Sequence, residues 1–219
     1  MDRGGSRLLR VGLFALLGVF HAAPSSAGEL TEIRITQAPV DGAGKTPSWV
    51  QKAPFQKRQE IILELGDDPY GAVVQLDTQA KPELHAYRIS VQFETSLAIG
   101  DEGPHVDLLD WKHCTSAWKI VEVGEDGGFV LPKPTEAEST CFPAATKAEI
   151  KTAVRSALRR YGMDDSGGEH WLELADSVNA PGELPSYIGV SKVRVRIEKR
   201  IERSWKEVTT IELMPPMGC

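Results

Sequence analysis

The sequence predicts an α+β fold, a mainly antiparallel β-sheet with one principal amphipathic helix packed on it. Three observations carry that prediction. From Tyr87 the apolar residues take every second position (Tyr87, Ile89, Val91, Phe93, then Leu97 beyond Thr95), while Arg88, Ser90, Gln92 and Glu94 take the alternate ones. Successive side chains of a strand point to opposite faces, so this is a strand with one face in a core and the other in water. Val190 to Ile201 repeats the pattern, with Val193, Val195, Ile197 and Ile201 against Lys192, Arg194, Arg196, Glu198 and Arg200. Between them, Thr146-Lys147-Ala148-Glu149 has the form of a capping box, Ile150, Val154, Leu158 and Tyr161 follow at helical spacing, and Gly162 supplies a stop.

The chain opens on a leader. Arg3, Arg7 and Arg10 precede an uncharged apolar run from Val11 to Phe20, about half of what crossing a bilayer requires. Ser25-Ser26-Ala27 offers the small residues a signal peptidase reads, and no cysteine follows to take a lipid anchor. Residues 1–27 therefore read as a signal peptide and 28–219 as a single α+β domain, soluble in the periplasm or secreted. The formal net charge is −6, and loss of three basic residues and one acidic residue with the leader takes it to about −8. Such a surface repels phosphate backbones and anionic lipid, so nucleic acid is not expected as a partner. No later stretch is apolar enough for stable membrane insertion.

The remaining elements follow in order. Leu30 to Thr36 alternates in part, Ile33 and Ile35 against Glu32 and Arg34, and is the first candidate strand. Residues 38–57, with Pro39, Gly42, Gly44, Pro47 and Pro54, read as a loop pinned to the body by Trp49 and Phe55. Glu60 to Leu65 and Ala72 to Asp77 read as a hairpin around Gly66-Asp67-Asp68-Pro69. After the central strand come the polar turn Gly100 to His105, a segment dense in aromatics, and a strand over Trp118 to Val123 that Gly124 to Gly128 turns back. The helix over 147–161 carries Lys147, Lys151, Arg155, Arg159 and Arg160 mostly off its apolar stripe, as a solvated outer face does. His170-Trp171-Leu172 and a loop with Pro181 and Pro185 lead to the second long strand, and Trp205 to Leu213 reads as its hairpin partner.

All three cysteines follow the leader, where an oxidising compartment lets them pair. Cys114–Cys141 is the expected disulfide, because it closes a loop containing the turn-rich Gly124 to Gly128 and Pro132 to Pro134. Cys219 competes for either partner or stays free.

Motifs for chemistry are few. His105, Asp107, Asp110, His113 and Cys114 bear ligating atoms, but their spacing matches no metal motif. The Gly-Asp-Glu-Gly and Gly-Glu-Asp-Gly-Gly clusters lack the oxygen-ligand spacing of a calcium loop. There is no Gly-x-Ser-x-Gly elbow, phosphate loop or dinucleotide fingerprint. The expectation is a protein without catalytic residues, cofactor or metal, acting by binding. Its expected partner surface comprises Asp101, Glu102, His105, Asp107, Asp110, Trp111, His113 and Trp118, where rigid aromatics stand beside charges as they do in interface hot spots. The acidic residues among them suit a protein partner with a cationic rim. The basic strand face of Lys192, Arg194 and Arg196 is the second candidate surface.

Glu94-Thr95-Ser96-Leu97, Glu102-Gly103-Pro104-His105, Asp110-Trp111-Lys112-His113 and the terminal Pro216-Met217-Gly218-Cys219 resemble signatures of exported bacterial immunity proteins against type VI secretion antibacterial effectors. The resemblance spans most of the mature chain and carries no catalytic motif. It implies a periplasmic protein that binds a cognate toxin, often a lipase or phospholipase, and occludes its active site. Two rival readings are a small periplasmic hydrolase or metal-binding protein using His105 or His113, and an envelope structural or assembly protein.

Overall fold

In the computed structural model the alternation from Tyr87 becomes a 14-residue strand, β5, that takes part in both hydrophobic clusters of the protein. The structure describes residues 29–37, 48–64, 67–78, 86–100, 103–163 and 168–217. The expected leader and cleavage site, Asp101, Glu102 and Cys219 lie outside them. In order, the strands are β1 (Leu30–Thr36), β2 (Ser48–Lys52), β3 (Arg58–Ile62), β4 (Val73–Thr78), β5 (Tyr87–Gly100), β6 (His105–Asp107), β7 (His113–Thr115), β8 (Lys119–Val121) and β9 (Gly128–Val130). The helices α1 (Glu136–Ser139), α2 (Lys147–Arg160) and α3 (Glu169–Ser177) follow, then β10 (Ser186–Ile201) and β11 (Ser204–Met214).

The fold is α+β, with mainly antiparallel sheets, as the alternation predicts. One sheet has the order β2-β1-β4-β9 and the other β3-β11-β10-β5-β6, with β7 and β8 also paired to β5. Burial follows the period of two. Ile33, Ile35, Val74 and Leu76 of the first sheet join Ile89, Val91, Phe93, Val193, Val195, Ile197, Ile211 and Leu213 of the second in one core. Farther along β5, Leu97 and Ile99 enter a second core with Ile150, Val154 and Leu158 of α2 and Leu172 and Ala175 of α3. Tyr161, the last residue of the predicted stripe, is instead the exposed C-cap of α2, because Gly162 at φ +74° ends the helix there.

The start of α2 is the predicted capping box. Thr146 Oγ1 accepts from the Glu149 backbone N–H at 3.3 Å, and the Glu149 carboxylate accepts from the Thr146 N–H at 2.8 Å. Lys112 donates to the same carboxylate at 2.7 Å. That bond, then those from Thr146, lower the Glu149 carboxyl from 4.5 to about 2. A lowered folded value means that the stabilisation is complete above the unfolded value and is lost as pH falls towards 2. Glu149→Gln is therefore expected to be less stable than the parent at pH 7, with the difference disappearing by about pH 2. Denaturant unfolding followed by circular dichroism at both pH values measures this; a constant difference would contradict it.

The structure departs from the sequence expectations at four places. The segments read as a hairpin around Gly66 enter different sheets: β3 pairs in parallel with β11, whereas β4 lies between β1 and β9. Both supply one apolar face to the same core, and alternation does not specify which layer a strand joins. The turn at Gly124 to Gly128 carries the chain from β8 to β9, hence to the other sheet, instead of back on itself. Helix α3 was not predicted; its N-cap, Gly168, has no side chain to announce it, and the helix is held by Leu172 and Ala175 in the second core. The stretch of 38–57 that falls within the described residues includes β2, whose Trp49 lies opposite Ile35 and, with Phe55, packs against the first core. The β10–β11 hairpin forms as predicted, turning through Glu202 at φ +55°.

Candidate functional site: a charged and aromatic sheet face

The residues that alternate with the core positions of β5, β10 and β11 include a matched set of charges. Register places Gln92 opposite Arg194 and Arg194 opposite Glu212, while Arg88 lies opposite Glu198. Opposite charges on directly paired residues attract across the ladder. Arg88 grips Glu198 with two bonds, Nε at 2.8 Å and an outer nitrogen at 2.9 Å. These bonds lower the Glu198 carboxyl from its ordinary value, against the opposing effect of burial. Arg194 donates to Glu212 through Nε at 2.8 Å, to Gln92 at 3.3 Å and to Glu94.

Glu212 is the hub, with no exposed side-chain surface. Besides Arg194 it meets Arg58 at 3.2 Å and Lys192 at 3.6 Å. A carboxylate taken out of water is tolerated when cations and hydrogen bonds surround it. Here two elements provide three cations, Arg58 from β3 and Lys192 and Arg194 from β10. A bulge at Ser191 keeps Lys192 on this face despite the register shift beside it.

Against this face lies a concavity of about 550 Å³ lined by Lys57, Arg58, Gln92, Trp118, Arg194, Arg196, Glu207 and Thr210. Trp118 is placed by the strand edge: Ser116 N–H donates to Phe93 O at 2.9 Å, and Gln92 donates to Ser116 O at 2.8 Å. The Arg196 guanidinium lies 4.2 Å from the centre of the Trp118 ring, within cation–π range. Its Nε is buried with no hydrogen-bond partner among the described residues, where the nearest carboxylate is Glu198 at 3.6 Å. Among the described residues that line the groove, four cations, Lys57, Arg58, Arg194 and Arg196, outnumber the one carboxylate, Glu207. The site is therefore locally cationic on a chain of net charge −6.

In comparisons with known proteins nothing matched this chain: no family model, no curated protein and no solved structure. The functional reading therefore rests on the residues themselves.

The residues predicted from sequence as a partner surface fall in separate places. Trp118 is in the groove. Trp111 is half-buried, 6.0 Å from Phe142 and packed on the second core, while His113 is exposed on β7. Beside them the predicted Cys114–Cys141 disulfide joins β7 to the segment before α2, with its Cα atoms 5.8 Å apart. Asp110 is exposed and ion-paired with Arg160 of α2. His105 Nε2 lies 3.3 Å from Asp107 Oδ1. Burial raises the Asp107 carboxyl above its ordinary value, and His105 offsets part of that. Asp107 and Asp110 line a smaller hollow of about 170 Å³ with Glu94, Arg160, Ser191 and Lys192. Among the described residues no group of three His, Cys, Asp or Glu side chains is placed to hold a metal ion, and no helix is long and apolar enough to cross a membrane.

Sequence reasoning missed Lys57, Arg58, Gln92, Glu207 and Thr210. It named Arg194 and Arg196 only as a second candidate. The available signal was complementarity between stripes, Gln92 and Glu94 on one strand against Arg194 and Arg196 on another, but it becomes visible only when the register is known.

Proposed function

We propose that this chain is an exported binding protein of the immunity type, which neutralises a secreted antibacterial effector by covering its active site. The observation that carries the reading is the groove. It is a recognition surface borne on paired strands, with Arg196 held against Trp118, and an interface built on side chains already ordered loses less entropy on binding. Arg and Trp are also the residues on which interface energy concentrates. The charged, apolar and small segments of residues 1–27, in the order of a leader, support a periplasmic site of action, and the resemblance of the signatures quoted above supports a secreted effector as the partner.

The test is genetic and then physical. Deleting the gene is expected to sensitise the producing strain to contact-dependent killing by its parent. The full chain should restore protection, whereas a version beginning at Gly28 without the leader should not. Mass spectrometry of the periplasmic protein should find its N-terminus close to Gly28. Survival of the deletion strain, or protection by the leaderless version, would refute the reading. Trp118→Ala should weaken capture of the effector; if Asp110→Lys does so instead, recognition lies on the acidic segment.

A further inference from the structure

We propose that the groove binds a carboxylate side chain presented by an acidic protein segment. This deepens the binding reading above by naming the chemistry of what is bound. The cations around the groove are not equivalent. Arg194 is committed, since its nitrogens already serve Glu94, Glu212 and Gln92. Arg196, Arg58 and Lys57 retain unused donors. Arg196 is fixed by the Trp118 ring at 4.2 Å, and its nearest carboxylate is beyond hydrogen-bond distance. Arg58 is exposed, and its ion pair is with Glu212 at 3.2 Å. Lys57 is exposed and has no ion-pair partner among the described residues.

Three cations with open donors around one hollow select an anion. A guanidinium presents its N–H groups as a planar fork that matches the two oxygens of a carboxylate. Arg196, braced on an aromatic ring, is already oriented for such a bond. The charge of the surroundings decides between a carboxylate and a phosphate. Glu207 lines the groove and Glu198 and Glu212 stand behind its arginines. A dianion therefore meets more repulsion than a single carboxylate. The hollow is open and large enough for neighbouring residues of an extended segment, with Gln92, Thr210 and Trp118 to meet them.

The experiment uses the full mature chain and two blocked pentapeptides, acetyl-Gly-Gly-Glu-Gly-Gly-amide and its glutamine counterpart, with inorganic phosphate as a third probe. Binding is followed by calorimetry and tryptophan fluorescence at two salt concentrations. The glutamate peptide is expected to bind saturably, and more weakly at the higher salt concentration, while the glutamine peptide does not bind. Arg196→Gln and Lys57→Gln should each weaken it by about tenfold, the usual scale for one charge-assisted bond. Lys57 is exposed, so its variant remains informative if Arg196→Gln proves unstable. Absence of saturable binding, equal binding of the glutamine peptide, or parental affinity in a folded variant overturns the inference. Tighter binding of phosphate than of the glutamate peptide makes the groove a phosphate site and also overturns it. Protection from killing is scored independently, so a chain that protects its host without binding the acidic peptide refutes this inference alone.

Discussion

Glu212→Ala is expected to lower the stability of the folded protein by about 3–5 kcal/mol, the range for breaking a buried ion pair from one side. The wild-type carboxylate has no exposed side-chain surface and meets Arg58, Lys192 and Arg194. Removing it leaves Glu94 as the shared acidic partner of Lys192 and Arg194. Arg194 is only 14% exposed and cannot recover full hydration. Glu212→Gln should lose less, because an amide oxygen still accepts from Arg194 Nε. Urea unfolding at pH 7 gives both values. A loss under about 1 kcal/mol for the alanine variant, the scale of an exposed pair, would mean that the face is solvated and the charge cluster incidental to the fold.

The elements legible in the sequence are those whose cause is local. β1, β5 and β10 announce themselves by alternation, β11 as the hairpin partner of β10, and α2 by the reciprocal bonds of Thr146 and Glu149. The failures have non-local causes. β3 and β4 each display one apolar face, and only their partners, β11 in one case and β1 and β9 in the other, decide that they occupy different sheets. α3 has no capping side chain, so its existence depends on the apolar surface it meets.

The groove follows the same division. Trp118 is visible as an aromatic near charges, and the Lys192, Arg194 and Arg196 stripe as a basic face. Yet a polar stripe opposite a core stripe ordinarily faces water, whereas Glu94 and Glu212 are buried. Their burial arises only where three strands bring complementary charges into register. The aromatic and acidic residues of 101–118 are continuous in the sequence, whereas the structure distributes the described ones among the groove, the disulfide and the smaller hollow.

Replacing Cys114 and Cys141 together by serine is expected to cost roughly 3–4 kcal/mol, the chain-entropy value for a loop of this length. The bridge joins residues 27 apart, so its loss releases the unfolded chain more than it disturbs the folded one. Other contacts hold the two ends in the native state. Cys114 remains opposite Thr95 in the β5–β7 pairing, and Thr95 Oγ1 donates to the Cys141 carbonyl at 2.6 Å. Trp111 still lies against Phe142, and Lys112 donates to Ala144 O at 3.1 Å. The double variant should therefore keep the parental circular dichroism spectrum while unfolding at lower denaturant concentration, and its denaturant dependence should steepen because the unlinked chain exposes more surface. Reductant should bring the parent to the same midpoint and leave the variant unchanged. A variant that matches the oxidised parent would show that the bridge constrains neither state. A variant that loses the native spectrum would show that the bridge is needed to form the β7 edge.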